Sequence, residues 1–72
     1  MIEVSKLNGG DIFIRNDTVY LHLGNSRGVT ITTMATVIGY MLAGQFEPIG
    51  HVSAKLAPDT RVQHVKLVAQ PV

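Results

Sequence analysis

Ten consecutive residues, Met34 to Ala43, carry no charge in a chain of only 72. Met34, Val37, Ile38, Met41 and Leu42 fall at i, i+3, i+4, i+7 and i+8, the spacing of one helix face. Thr32 or Thr33 stands where a helix would be capped, and Gly44 where it would end. Against a helix, Thr36, Val37, Ile38, Gly39 and Tyr40 are poor helix formers. The same run reads equally as two short strands, Met34–Val37 and Tyr40–Leu42, turning near Gly39. In either form the second side shows Ala35, Thr36, Gly39, Tyr40 and Ala43, none of them charged. A segment apolar on both sides needs cover from two directions. A domain of this size buries only roughly 60% of its unfolded surface, so its own chain supplies little of that cover. Self-association resolves the mismatch. Met34, Val37, Ile38, Tyr40, Met41, Leu42 and the nearby Phe46 are the expected subunit interface of a homo-oligomer.

The length accommodates a single small domain, residues 1–72. Apolar residues make up 46% and charged ones 15%, a balance that excludes intrinsic disorder. Six basic residues against five acidic give a net charge of +1, which excludes a polybasic or polyacidic tail. Without cysteine, disulfide frameworks, thiolate zinc sites and cysteine nucleophiles are ruled out. Met1 to Val4 runs into Ser5, Lys6 and Leu7 without the long apolar core of a signal peptide. Met34 to Ala43 is about half the length that spans a bilayer. A cytoplasmic protein with no membrane association is the expectation.

The rest of the chain alternates in the manner of strands. Asp11–Arg15 and Thr18–Leu23 flank Asn16-Asp17, two residues that tolerate the positive φ of a tight hairpin turn. In the second run Val19, Leu21 and Leu23 point one way, and Thr18, Tyr20 and His22 the other. Gly24-Asn-Ser-Arg-Gly28 is a loop by composition. Val29–Thr33 restarts a strand with Val29 and Ile31 inward and Thr30 and Thr32 outward. Gln45–Gly50 contains Pro48, which cannot donate to a ladder, so it should bend or run along an edge. His51–Leu56 is a further short strand, Ala57–Thr60 a turn, and Arg61–Val68 a closing strand that Pro71 ends. Turn signals at this spacing predict a mainly β fold: a small β-barrel or roll of about five short strands, with at most one short helix near residues 34–43.

Three framing motifs carry a resemblance. Leu7-x-x-Gly10-Asp11-x-Phe13, Val19-Tyr20-x-x-Leu23-Gly24 and Pro58-Asp59-Thr60-x-Val62-x-x-Val65 are similar to segments of tiny phage-encoded β-barrel accessory proteins. The likeness covers the first 24 residues and residues 58–68, and departs from the group between Thr33 and Ser53, where this chain is longer and more apolar. It implies a small barrel. Some phage proteins of this size act against host defences, by sequestering signalling nucleotides or by binding host proteins.

Chemistry-bearing residues are sparse. His22, His51 and His64 are separated by 29 and 13 positions, far from the local spacing of metal ligands, so no metal or cofactor is expected. Ser5, Ser26 and Ser53 lie outside any nucleophile elbow. Asp11 and Asp17 are explained by strand starts and turns, and a catalytic pocket would have to be shared between subunits, so an enzyme is not expected. Gly24–Gly28 can cradle an anion through Asn25, Ser26 and the Arg27 guanidinium, with Tyr20 and His22 placed to pack against a base. The leading expectation is therefore a non-catalytic protein that captures an anionic, nucleotide-like small molecule between subunits. A second is an oligomeric module that binds or blocks a host protein through its apolar surface. A third is nucleic-acid binding, for which Arg15, Arg27, Lys55, Arg61 and Lys66 are scattered and only a ring of subunits would align Arg61 with Lys66.

Overall fold

The computed structural model describes residues 1–65. Six strands form one sheet: β1 Ile2–Glu3, β2 Ile12–Arg15, β3 Thr18–Arg27, β4 Ile31–Leu42, β5 Gln45–Leu56 and β6 Arg61–Val65. Their order across the sheet is β1-β6-β2-β3-β4-β5, every neighbouring pair being antiparallel. The mainly β expectation stands, but the barrel does not. The sheet stays open, and it has six strands rather than five. Closure would have to match a two-residue edge, β1, with a twelve-residue edge, β5, and a barrel needs edges that pair along their length.

Met34 to Ala43 is neither a helix nor a hairpin bent at Gly39. It belongs to the continuous strand β4, whose β-branched Ile31, Thr32, Thr33, Thr36, Val37 and Ile38 suit a pleated backbone. The reversal comes later, at Ala43 and Gly44, both with positive φ (51° and 77°), joining Leu42 to Gln45. A left-handed pair of this kind is what a two-residue hairpin requires. Asn16 and Asp17, at φ 51° and 60°, form the equivalent turn between β2 and β3, as their residue types predict.

Two further corrections concern β3 and the start of β4. Only Gly28 of the expected Gly24–Gly28 loop belongs to the connection, because β3 continues through Arg27 and pairs Asn25 with Thr33, Ser26 with Thr32 and Arg27 with Ile31. Gly24, at φ 108°, sits at a bulge: His22 lies opposite Ala35 and Gly24 opposite Met34, leaving Leu23 as the extra residue. Val29 and Ile31 are exposed rather than inward, and Thr33 is fully buried instead. The β3–β4 ladder runs past the end of the core there, so its last apolar residues find no cover.

Beyond the sheet there is one 3-10 turn, Val4–Lys6, laid across one face. It is tied to the segment before β6 by the Val4 N–H donating to the Thr60 carbonyl (2.7 Å) and the Ser5 N–H to that of Pro58 (3.2 Å). Val4, Leu7, Phe13, Ala35 and Val62 form the buried cluster, with Ile2, Tyr20 and Leu56 packed on it. Register sends Ile12, Ile14, Val19 and Leu21 to the opposite face. Val19 is buried there and the other three are half-buried. The expected closing strand is observed as Arg61–Val65; its continuation to Val68, Lys66 included, and the stop at Pro71 lie outside the described residues.

Candidate functional site

The five residues expected to hold a ligand fall into two groups. Tyr20 and His22 alternate onto the face covered by the 3-10 turn. Tyr20 stacks on Phe13, its cross-strand neighbour, with ring centroids 4.9 Å apart and planes 9° from parallel. His22 is 1% exposed, and both its ring nitrogens have partners. Nε2 lies 3.1 Å from the Val4 carbonyl and Nδ1 accepts the Gly24 N–H at 2.9 Å. A carbonyl can only accept, so the bonds assign the proton to Nε2. The imidazole thereby joins the bulge to the turn above it.

Asn25 has a similar role one step along β3. Its Nδ2 donates to the Ser5 carbonyl at 3.1 Å, and its Oδ1 accepts the Thr33 hydroxyl at 2.6 Å. Ser26 and Arg27 lie beyond it, exposed at the end of the strand. The sequence suggested Asn25, Ser26 and Arg27 around an anion, with Tyr20 and His22 packed against a base beside it. In the fold three of them are bound into the covered face or its border, and two project from the far end of a ladder.

Other polar residues are likewise placed by local structure. The Asp11 carboxylate accepts the Asn8 N–H through Oδ2 at 2.9 Å, and its Oδ1 lies 3.8 Å from His64 Nε2. His22, His51 and His64 form no metal cluster: among the described residues no three His, Asp or Glu side chains come together.

The expected interface residues share the β4–β5 part of the sheet. Met34, Val37, Ile38 and Met41 are half-buried, while Tyr40, Leu42 and Phe46 are exposed. Sequence reasoning missed Ile49 and Val52, two more exposed apolar residues on β5. Alternation from Phe46 reaches Val52 but not Ile49, which lies in the stretch between Pro48 and Val52 where the β4–β5 ladder loses register, and Pro48 and Gly50 disguised a single twelve-residue strand as two pieces. Phe46 closes over Gly39, and a Cβ at Gly39 would overlap its ring and the Glu47 backbone. β5 is an edge, as Pro48 suggested, and nearly all of its residues are exposed.

A second feature lies at the opposite side of the sheet. Between the β2–β3 turn and the start of β6 is an open cleft of about 560 Å³, lined by Arg15, Asn16 and Asp17 on one side and by Thr60, Arg61 and Gln63 on the other, with Glu3 opposite Arg61 in the β1–β6 register. None of the five expected ligand residues lines it.

No helix among the described residues is long and apolar enough to cross a membrane. Neither a protein-family model, nor a curated protein, nor a solved structure matches the chain.

Proposed function

We propose that the protein is a non-catalytic interaction module that assembles with copies of itself along β5. One observation carries this reading. The long open edge of the sheet is also where its exposed apolar side chains gather, with Tyr40, Leu42, Phe46, Ile49 and Val52 on two adjacent strands. A sheet edge is a row of unpaired backbone donors and acceptors that another strand can complete, and neighbouring apolar side chains add area removed from water.

The occupant we assign is a second copy of this chain. β4 has no charged residue, and β5 has one of each sign, Glu47 towards its start and Lys55 towards its end. Antiparallel pairing of β5 with itself brings the acidic end of each strand towards the basic end of the other. The same edge therefore attracts its own copy without a surplus of either charge. Sedimentation velocity of Val52→Lys tests the reading. Val52 is exposed, so the fold should survive, while a charge in the centre of the contact should turn the oligomer into a monomer. An unaltered oligomer, or a wild-type protein that is monomeric at 100 µM (about the concentration that would populate a modest dimer), removes the proposal.

A second reading, capture of an anionic small molecule, is favoured by the arginine-lined cleft. A place among phage accessory proteins, with a role against host defences, is supported by the framing motifs alone.

A further inference from the structure

We propose that the irregular stretch Ile49–His51 fixes how two copies of β5 pair, in an antiparallel register centred between Gly50 and His51, and keeps ordinary strands off that edge. The inference rests on the self-assembly proposed above and specifies its geometry.

The two halves of β5 present their side chains out of phase. Residues opposite one another in a ladder share a face of the sheet. Val19 pairs with Gly39 and Gly39 with Pro48, while Tyr20 pairs with Val37 and Val37 with Val52. Val19 and Tyr20 are adjacent on β3, so they point to opposite faces, and Pro48 and Val52 must do the same. In an uninterrupted strand, residues four positions apart would share a face. The phase changes between them, where β4 has only Ile38 and β5 has Ile49, Gly50 and His51. Phe46 and Pro48 therefore share the Val19 face with Ser53 and Lys55. Gln45 and Glu47 share the Tyr20 face with Val52, Ala54 and Leu56.

This change of phase selects the partner. A regular strand laid along β5 can match the alternation of either half but not of both, because a slip of one residue turns every side chain to the other face. It is confined to Gln45–Pro48 or to Val52–Leu56. The first of these is also short of a donor. The Met41 N–H donates to the Asp17 carbonyl (2.7 Å), towards β3. Its neighbour Tyr40 and the opposing Glu47 then turn their backbone groups to one another, which leaves Pro48, without an N–H, facing the open side. Interruptions and prolines of this kind are how sheet edges resist stray pairing.

A second copy carries the same interruption. Related by a two-fold axis, the first half of each β5 lies along the second half of the other. With the axis between Gly50 and His51, the two irregular stretches coincide and every rung outside them joins residues of like face. Glu47 then lies opposite Ala54 of the partner subunit, and Pro48 opposite Ser53 of the partner subunit. Phe46 faces Lys55 of the partner subunit, whose ammonium can rest on the ring. No two like charges are opposed. A shift of one residue in either direction sets the Val19 face of one copy against the Tyr20 face of the other.

The chain has no cysteine, so introduced cysteines report the register. Glu47→Cys mixed with Ala54→Cys in a glutathione redox buffer should form an intermolecular disulfide, since directly opposed residues lie within the span a disulfide needs. Glu47→Cys mixed with Lys55→Cys, one position along and on the other face, should give a yield lower by roughly tenfold or more. Glu47 and Lys55 are exposed and Ala54 is half-buried, so the fold should tolerate each change. Equal yields in the two mixtures (none included), or a dominant cross-link between positions 47 and 55, would overturn the register. Assembly along β5 would survive that result if Val52→Lys still dissociates the oligomer. A monomeric wild type with neither cross-link would remove both inferences together.

Discussion

His22 and Asn25 show how little a residue's type reveals about its use. Both belong to the short list from which binding sites are built, and both here hold the 3-10 turn onto the sheet, through the Val4 and Ser5 carbonyls. The outcome of Asn25→Ala separates the two roles. Removing the amide leaves the Ser5 carbonyl and the fully buried Thr33 hydroxyl without their partner. The Ser5 bond is exposed and water can replace it, so the cost falls on the Thr33 hydroxyl alone, about 1 kcal/mol, and in a domain of this size each kcal/mol lowers the melting temperature by roughly 4–8 °C. Thermal unfolding at fixed protein concentration should show that loss. A variant as stable as wild type would return Asn25 to the list of free binding residues.

At the scale of the element, β4 explains both the success and the failure of reading the sequence. Asn16-Asp17 and Pro48 were legible because each acts through its own backbone: tolerance of positive φ in one case, the missing N–H in the other. The strand through Gly39 was not. Ile38 is an extra residue in the β3–β4 ladder, since Val19 lies opposite Gly39 and Tyr20 opposite Val37. Alternation loses phase at that point, and two half-strands out of phase imitate the i, i+3, i+4 spacing of a helix. Gly24 misled in the same way, as a strand glycine at a bulge looks locally like a loop glycine. The cleft beside the β2–β3 turn was invisible for another reason, because its two walls are distant in sequence and become neighbours only through pairing between β2 and β6. Gly39 is where β4 is most exacting. Gly39→Ala would force the Phe46 ring and the Glu47 backbone to move together. Overpacking of this kind costs typically about 1–3 kcal/mol, and the backbone component argues for the upper end. Chemical denaturation should record it, and an unchanged midpoint would mean that Phe46 does not rest on Gly39.

For the whole molecule, the distribution of burial sets a gradient of stability. The cluster around Phe13 lies where β6, β2, β3 and the 3-10 turn meet. The hairpin tips at residues 28–30 and at Ala43-Gly44 extend away from it, and the described residues span 43 Å against 24 and 23 Å in the other dimensions. Amide exchange should therefore be slowest at Phe13 and His22 and fastest towards the tips. If β5 pairs with a second copy, dilution should accelerate exchange at β5 while leaving Phe13 unaffected. A β5 rate independent of concentration would argue that the edge stays open in solution.

The pairing of β1 with β6 also governs the order of events during synthesis. Ile2 lies opposite Val62, and Phe13 has His64 as its neighbour on one side. A nascent chain that has released only its first sixty residues has made every strand except the one that both β1 and β2 require. Contacts so distant along the chain form slowly, after a large loop has been closed. During that interval the apolar β4–β5 hairpin is already outside the ribosome and competent to pair. If β5 is the edge that pairs with a second copy, nascent chains on one polysome meet through it before any of them has closed its own core.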